Sequence, residues 1–307
     1  MKITSRLVDF GFWAGWNVLW LLPSGVTAKL FDGAAIFAWR KHGNGIKQLE
    51  LNLSRVTGLD PFGDQIRQLS KKTMRSYLRY YCETFAMARW SVEEISKRVR
   101  VINAKPVLDA SKNGGVILTL PHSGNWDLAG AWAAQYFGSM CTVAERLSPE
   151  GVYQKFLKLR SSLGITIKPL TGEGGTYEFL RSNVLAGKVV ALIGDRDLSG
   201  SGMTNDFFGH RATLPIGAAV LALDTKKPLF TCSTWFDDEQ LVIEFDELIE
   251  VTSAEVTGRE RLRQAQEITA QIAKRFEKHI SAHPENWHQL QPIWNDLTVA
   301  NNQKFVA

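Results

Sequence analysis

Gly115-Val116-Ile117-Leu118-Thr119-Leu120, followed by Pro121-His122-Ser123-Gly124-Asn125-Trp126-Asp127, is the stretch on which the fold turns. A short run that is apolar or β-branched without alternation reads as a strand covered on both faces, the habit of parallel sheets. Gly124 and Asn125 mark a turn, and Asp127–Phe137 reads as a helix. Working outward, Met140–Ala144, Ile165–Leu170 and Val189–Ile193 read as strands. Residues 149–163, 173–186 and 215–225 read as helices between and after them. Phe230–Phe236 and Leu241–Phe245 close the sheet, and Gly258–Ala282 is a long amphipathic helix. This alternation predicts an α/β fold, a mostly parallel central sheet with helices on both faces. Ligands of such sheets bind outside the carboxyl ends of the strands, which singles out the loop 121–127.

The composition narrows the class. With 45% hydrophobic and 22% charged residues in 307, the chain has material for a large core, and global disorder is excluded. A mean hydropathy of −0.12 excludes a polytopic membrane protein. Cys82, Cys141 and Cys232 are odd in number and far apart, so neither a disulfide framework nor a structural zinc site is expected. The sequence has no G-x-S-x-G, no G-x-x-x-x-G-K-[ST], no G-x-G-x-x-G and no H-E-x-x-H. Serine hydrolases, P-loop NTPases, Rossmann dehydrogenases and zincins are thereby disfavoured.

Charge and tryptophan are distributed unevenly. Residues 1–100 carry 16 Lys and Arg against 8 Asp and Glu, a net +8 that leaves residues 101–307 at −3. Trp13, Trp16, Trp20 and Trp39 lie in the first forty residues. The segment Leu7–Pro23 is nearly all apolar but shorter than the ~20 residues a bilayer span requires. As a helix it places Trp13, Trp16 and Trp20 on one face, which suits the headgroup level of a membrane. In the predicted helix 64–90, Arg67, Lys71, Arg75 and Arg79 recur every fourth residue, a stripe that an anionic surface would relieve. A solvated helix face and a buried helix 7–23 are the plainer alternatives. No nucleic-acid-binding motif accompanies the charge, so a nucleic-acid partner is not expected. The expected organisation is a single domain: a helical, membrane-facing layer over 1–100, an α/β core over 101–297 and a tail over 298–307.

His122 stands where a strand hands over to a loop, and Asp127 opens the next helix. A carboxylate beside an imidazole fixes its tautomer and raises its basicity. The spacing alone also fits a turn histidine followed by a capping aspartate.

With further blocks the pattern becomes specific. Ala144-Glu145-Arg146-Leu147 follows the second strand, and Gly194-Asp195-Arg196-Asp197-Leu198-Ser199 follows VVALI. Asp206-Phe207-Phe208-Gly209 and His283-Pro284-Glu285-Asn286-Trp287-His288-Gln289-Leu290-Gln291 come later. Together these resemble the lysophospholipid acyltransferase superfamily, in its branch of lipid A late acyltransferases, and among them the actinobacterial enzymes acting on phosphatidylinositol mannosides. The resemblance covers about residues 5–297. It implies transfer of a long acyl chain, palmitoyl in the favoured reading, from acyl-CoA to a mannose hydroxyl of a glycolipid acceptor, at the cytoplasmic face of the cell membrane.

On this resemblance His122 is the general base, with Asp127 and Asp195 as catalytic carboxylates. Which of the two meets the imidazole is open, and Asp197 is the less favoured third choice. Backbone N–H groups around Gly124 and in the helix after it are candidates for the oxyanion. Arg146, Arg160 and Arg196 are candidates for phosphates of CoA or the acceptor, Glu145 and Asp197 for substrate contacts, although each also fits a surface ion pair. A thioester is already activated, so no metal and no cofactor beyond the co-substrate acyl-CoA is expected. His283 and His288 read as caps or packing around Trp287, and His210 as a neighbour of the site at best. The rival readings are another glycolipid or lysophospholipid acceptor, and a noncatalytic lipid-binding protein on the same fold.

Overall fold

A computed structural model describes residues 22–146, 150–170, 174–251 and 255–299. Trp13, Trp16 and Trp20 lie outside the described residues. The described chain starts with four helices, α1 (Ser24–Lys41), α2 (Asn44–Thr57), α3 (Asp64–Met87) and α4 (Val92–Lys97). It continues through β1 (Val99–Ile102), α5 (Lys105–Lys112), β2 (Val116–Leu120), α6 (Trp126–Tyr136), β3 (Met140–Ala144) and α7 (Glu150–Ser162). Then come β4 (Ile165–Pro169), α8 (Thr176–Leu185), β5 (Val189–Ile193), β6 (Met203–Phe207), β7 (His210–Leu214) and α9 (Gly217–Thr225). The remainder is β8 (Leu229–Asp237), β9 (Gln240–Ile249), α10 (Gly258–Ala282) and a 3-10 turn at Pro284–Asn286.

Seven strands form one sheet in the order β1-β9-β8-β2-β5-β3-β4, every neighbouring pair parallel except the β8–β9 hairpin. The mostly parallel α/β fold is as expected from the apolar runs. Alternate side chains build two cores. Ile117, Val190 and Leu192 pack with α9 and α10, while Val116, Leu118, Leu120, Val189 and Ala191 pack with α6. Along α10, Ile268, Ile272, Phe276 and Ile280 recur at i+4 and are buried, each contributing about 1.5–3 kcal/mol.

Helix α5, the strand β1 and the β6–β7 hairpin were not foreseen. β1 is a four-residue edge strand, and β6–β7 form an antiparallel hairpin in which Phe208 (φ 54°) and Gly209 (φ 72°) make the two-residue turn.

The basic stripe of α3 is used inside the molecule. Arg67 donates to the buried Glu50 of α2 at 2.5 Å, and Arg75 grips Asp32 of α1 with both donors. Arg79 donates to Glu83 at 2.8 Å and to the carbonyls of Asp238 and Glu239 at the β8–β9 turn. Lys71 sits over the Trp39 ring, 5.4 Å from its centre. These side chains tie α1, α2 and the sheet to α3, and their partners relieve the repulsion for which the sequence reading invoked an anionic surface.

Among the described residues no helix is long and apolar enough to cross a membrane. Leu22, Val26, Leu30 and Phe37 are nevertheless exposed along α1 and its start.

Candidate active site

β2 and β5 are hydrogen-bonded neighbours with Leu120 opposite Ile193. Two residues past each strand end stand His122 and Asp195. The His122 Nδ1 lies 2.6 Å from Asp195 Oδ1, and the His122 backbone N–H donates to Oδ2 at 3.0 Å. Trp287 Nε1–H donates to the same Oδ2 at 2.9 Å, with Gln289 Nε2 at 3.4 Å. Asp195 is 0% exposed. Burial alone would raise its carboxyl, but the His122 charge and the donated hydrogen bonds outweigh it and hold the group below the usual carboxylate range. With an ionised Asp195 on Nδ1, the imidazole carries its proton there and keeps a lone pair on Nε2.

The local chain has to turn tightly for this. Gly124 adopts φ +55°, and a Cβ there would stand 2.8 Å from the Thr234 carbonyl. Asn125 then caps α6, accepting from Leu128 N–H at 3.0 Å. Residues 286–288 are laced onto the loop: Gly124 N–H donates to Asn286 O, His288 N–H donates to His122 O, and Ser123 bridges Trp287. The N–H groups of Ser123 and Gly124 are thus engaged, by Pro121 O and Asn286 O, which corrects the idea that Gly124 N–H stands ready for an oxyanion.

Asp127 makes its hydrogen bonds elsewhere. It takes two hydrogen bonds from Arg160, at 2.6 and 3.2 Å, and one from Tyr80 OH at 2.8 Å. Burial alone would lower Arg160, and the Asp127 charge reverses that and raises it; burial and the same charge push the Tyr80 hydroxyl far up. The question left open by the sequence is answered geometrically: Asp195 meets His122. Arg160 is correspondingly removed from the phosphate candidates, because its guanidinium is committed to a buried carboxylate.

A cavity of about 690 Å³ opens beside His122, Trp126, Tyr77 and Arg196. One arm runs between α6 and the sheet, walled by Leu118, Ala129, Gly130, Ala133, Met140 and Phe245. Ala129, Gly130 and Ala133 put little side chain into the space on that face of α6.

At the mouth, Arg196 reaches Glu145 at 3.3 Å. Arg146 pairs with Glu150 at 2.9 Å on the exposed surface. Asp197 is a loop organiser: it accepts from Ser199 N–H, Ser199 Oγ and Gly202 N–H. His283 stacks on Trp235 with ring centres 4.2 Å apart, and His210 lies exposed on β7. His288, read from sequence as packing, lines the cavity. Tyr77, Tyr80 and Tyr81 were missed as cavity residues, although their i, i+3, i+4 spacing on a helix was a signal. Among the described residues no group of His, Cys, Asp and Glu is placed to hold a metal ion.

A strand-end His–Asp pair with a buried carboxylate, opening on a cavity with an apolar arm, is an arrangement suited to acyl transfer. Residues 1–296 match the bacterial lipid A biosynthesis acyltransferase family. The chain belongs to that family. A phosphatidylinositol mannoside acyltransferase of Mycolicibacterium smegmatis is 35% identical over 96% of this chain and 93% of its own length. One of Mycobacterium tuberculosis is 37% identical over 95% of this chain and 90% of its own length. As a member of the family this chain is an acyltransferase.

Proposed function

We propose that this acyltransferase moves a long acyl chain, palmitoyl in the first instance, from acyl-CoA to a mannose hydroxyl of phosphatidylinositol mannoside, with His122 as general base. The observation that carries the reading is the His122–Asp195 pair at the mouth of a cavity whose inner arm is apolar. Asp195 holds the Nδ1 proton, so Nε2 takes the acceptor's hydroxyl proton as its oxygen attacks the thioester carbonyl. The tetrahedral adduct collapses with cleavage of the C–S bond, and the CoA thiolate recovers that proton from His122. Proton transfer of this kind contributes about 10²–10⁴-fold.

The arm beneath α6 suits the hydrocarbon tail, being lined by the apolar Leu118, Met140 and Phe245. Arg196, Glu145 and Arg146 at the rim serve the polar parts of donor and acceptor. The names of the two mycobacterial relatives support the acceptor. No cofactor enters this scheme, because the thioester is itself the activated group.

The acceptor is a membrane lipid, so we place the enzyme peripherally on the cytoplasmic face of the cell membrane. The exposed Val26, Leu30 and Phe37 of α1, beside Arg40 and Lys41, support contact with an anionic leaflet.

The test is release of CoA thiol from palmitoyl-CoA with and without added phosphatidylinositol mannoside, with the lipid weighed by mass spectrometry. Acceptor-stimulated release with a gain of one acyl group supports the whole scheme. Release that ignores this lipid but responds to another glycolipid overturns the acceptor. No release from folded protein overturns the enzyme reading in favour of a lipid-binding protein.

A further inference from the structure

We propose that His288 is a second substrate contact in the same cavity, its Nδ1 accepting a hydrogen bond from a hydroxyl of the acceptor next to the one that is acylated. This rests on the acyl-transfer reading of the site.

His288 is 95% buried, at 5% exposure, yet lines the cavity. Its backbone N–H donates to the His122 carbonyl at 2.8 Å, so the two histidines are fastened to each other across the strap. Its ring stands among aromatic neighbours, 5.2 Å from Tyr77 and 5.9 Å from Trp126 between ring centres.

The protonation pattern of this ring follows from its partners. His288 Nε2 lies 2.8 Å from Ser76 Oγ. Ser76 has one hydroxyl proton and donates it to Asn286 Oδ1 at 2.9 Å. That Asn286 oxygen is fixed as an acceptor by the Phe236 N–H, and the Asn286 Nδ2 donates to Glu285. Ser76 is therefore left only a lone pair for His288, and Nε2 must be the donor. Nδ1 then holds no proton. It is buried and has no hydrogen-bond partner in the protein.

A buried acceptor left unpaired is a standing cost that a donor from substrate removes. Burial and the nearby His122 hold the imidazole down to about 3, so it stays neutral and remains an acceptor at any working pH. A lone pair rejects phosphate and carboxylate oxygens, which carry no proton at that pH, and admits O–H or N–H donors. Among the reactants as proposed, the densest source of such donors is the polyol headgroup. His122 takes the reacting hydroxyl, and His288 takes its neighbour, so the pair reads a stretch of sugar rather than a lone alcohol.

Two substitutions separate this role from packing. His288→Gln extends an amide to the position of Nε2, keeping a donor for Ser76 while deleting the acceptor at Nδ1. His288→Asn puts Oδ1 where Nδ1 stands and gives up the bond to Ser76. Kinetics are measured with palmitoyl-CoA and phosphatidylinositol mannoside, varying each in turn, beside thermal melts of both proteins. The expected result is a loss of at least about 10-fold in kcat/KM for the acceptor in His288→Gln, carried by the acceptor KM, with substantial rescue in His288→Asn.

Equal losses in both variants, a loss carried by the palmitoyl-CoA KM (the pantetheine amides being the other N–H donors), or undiminished transfer by His288→Gln would overturn the assignment. Should His288→Asn fail to fold, the split between the two KM values in His288→Gln decides alone. Wild-type protein that acylates no phosphatidylinositol mannoside overturns the function reading instead. His288 is then judged by the same variants on the hydroxyl acceptor the enzyme does use, and the absence of any such acceptor overturns both.

Discussion

His122 and Asp195 are 73 residues apart in the chain, yet Nδ1 and Oδ1 meet at 2.6 Å because the strands that lead to them, β2 and β5, run side by side. Neither residue needs a long loop to reach the other. Each stands two residues beyond a strand buried along its length, so the backbone that aims them is among the least free in the protein. Loss of His122 should therefore remove chemistry without remodelling the sheet. We expect His122→Ala to lower thioester turnover by about 10²–10⁴-fold while leaving sedimentation with vesicles unchanged. Turnover that barely moves would remove His122 from the mechanism.

Acid should unfold the protein through two groups in this site. Asp195 is held below the usual carboxylate range, so its contribution is present above the unfolded value of about 3.9 and fades as pH falls through the lower folded value. His288 is a base held down to about 3 when folded, against about 6.5 unfolded. Between those values the unfolded chain binds a proton that the native state refuses, so stability declines on acidification from about pH 6.5, on the order of 1.4 kcal/mol per unit. Denaturant titrations of wild type and His288→Gln across pH 7 to 4 should show a shallower slope in the variant. Parallel slopes would contradict this account.

Asp127 and Arg160 make a buried pair that the sequence suggested for catalysis and for phosphate. Removing either partner leaves an uncompensated buried charge, a loss of about 3–5 kcal/mol. Thermal melts of Asp127→Ala and Arg160→Ala should fall together, and Asp127→Asn combined with Arg160→Met should recover much of the loss. A variant at Asp127 that melts like wild type and loses turnover would return Asp127 to the catalytic group.

Gly130 sets the width of the apolar arm. A Cβ there would stand 3.1 Å from Ile165 Cδ1 and 3.6 Å from Met140 Cε. Gly130→Val should push side chains into the arm, at about 1–3 kcal/mol of stability, and shift preference from palmitoyl-CoA towards shorter donors. Relative kcat/KM over a series of saturated acyl-CoAs reads this directly; an unchanged ranking would place the tail elsewhere.

Contact with the membrane can be tested apart from chemistry. Removing the first ~22 residues, or changing Trp13, Trp16 and Trp20 to Ser, should reduce sedimentation with anionic vesicles. So should Val26→Ser, Leu30→Ser and Phe37→Ser together. Binding that survives both sets would assign these residues to packing.

The sheet was legible because its central strands are uninterrupted apolar runs: β3 and β5 begin and end where the sequence reading put them. β1 escaped because it is a four-residue strand at the edge of the sheet, with Arg100 exposed. The hairpin β6–β7 escaped because MTNDF and HRATL hold only two apolar residues each, too few for an apolar run and too irregular for a clear alternation. At the site, His122 could be found from a strand end. The choice between Asp127 and Asp195 could not, since it depends on which strand lies beside β2. The stripe on α3 misled for the same reason. Spacing along one helix shows which charges are neighbours, but Glu50, Asp32 and the carbonyls at the β8–β9 turn arrive from elsewhere in the chain. His288 was hidden deepest, because an unpaired nitrogen is a property of four side chains at once.

Trp287 and Gln289 steady the Asp195 carboxylate, and residues 286–288 pin the loop that carries His122. During synthesis the sheet strands, His122 and Asp195 all leave the ribosome before this strap does. A nascent chain halted ahead of Pro284 would hold every strand of the sheet and the acid–base pair, but the carboxylate would lack its tryptophan donor and the loop its anchor. Competence thus arrives late and all together, so an unfinished copy would be a poor acyltransferase.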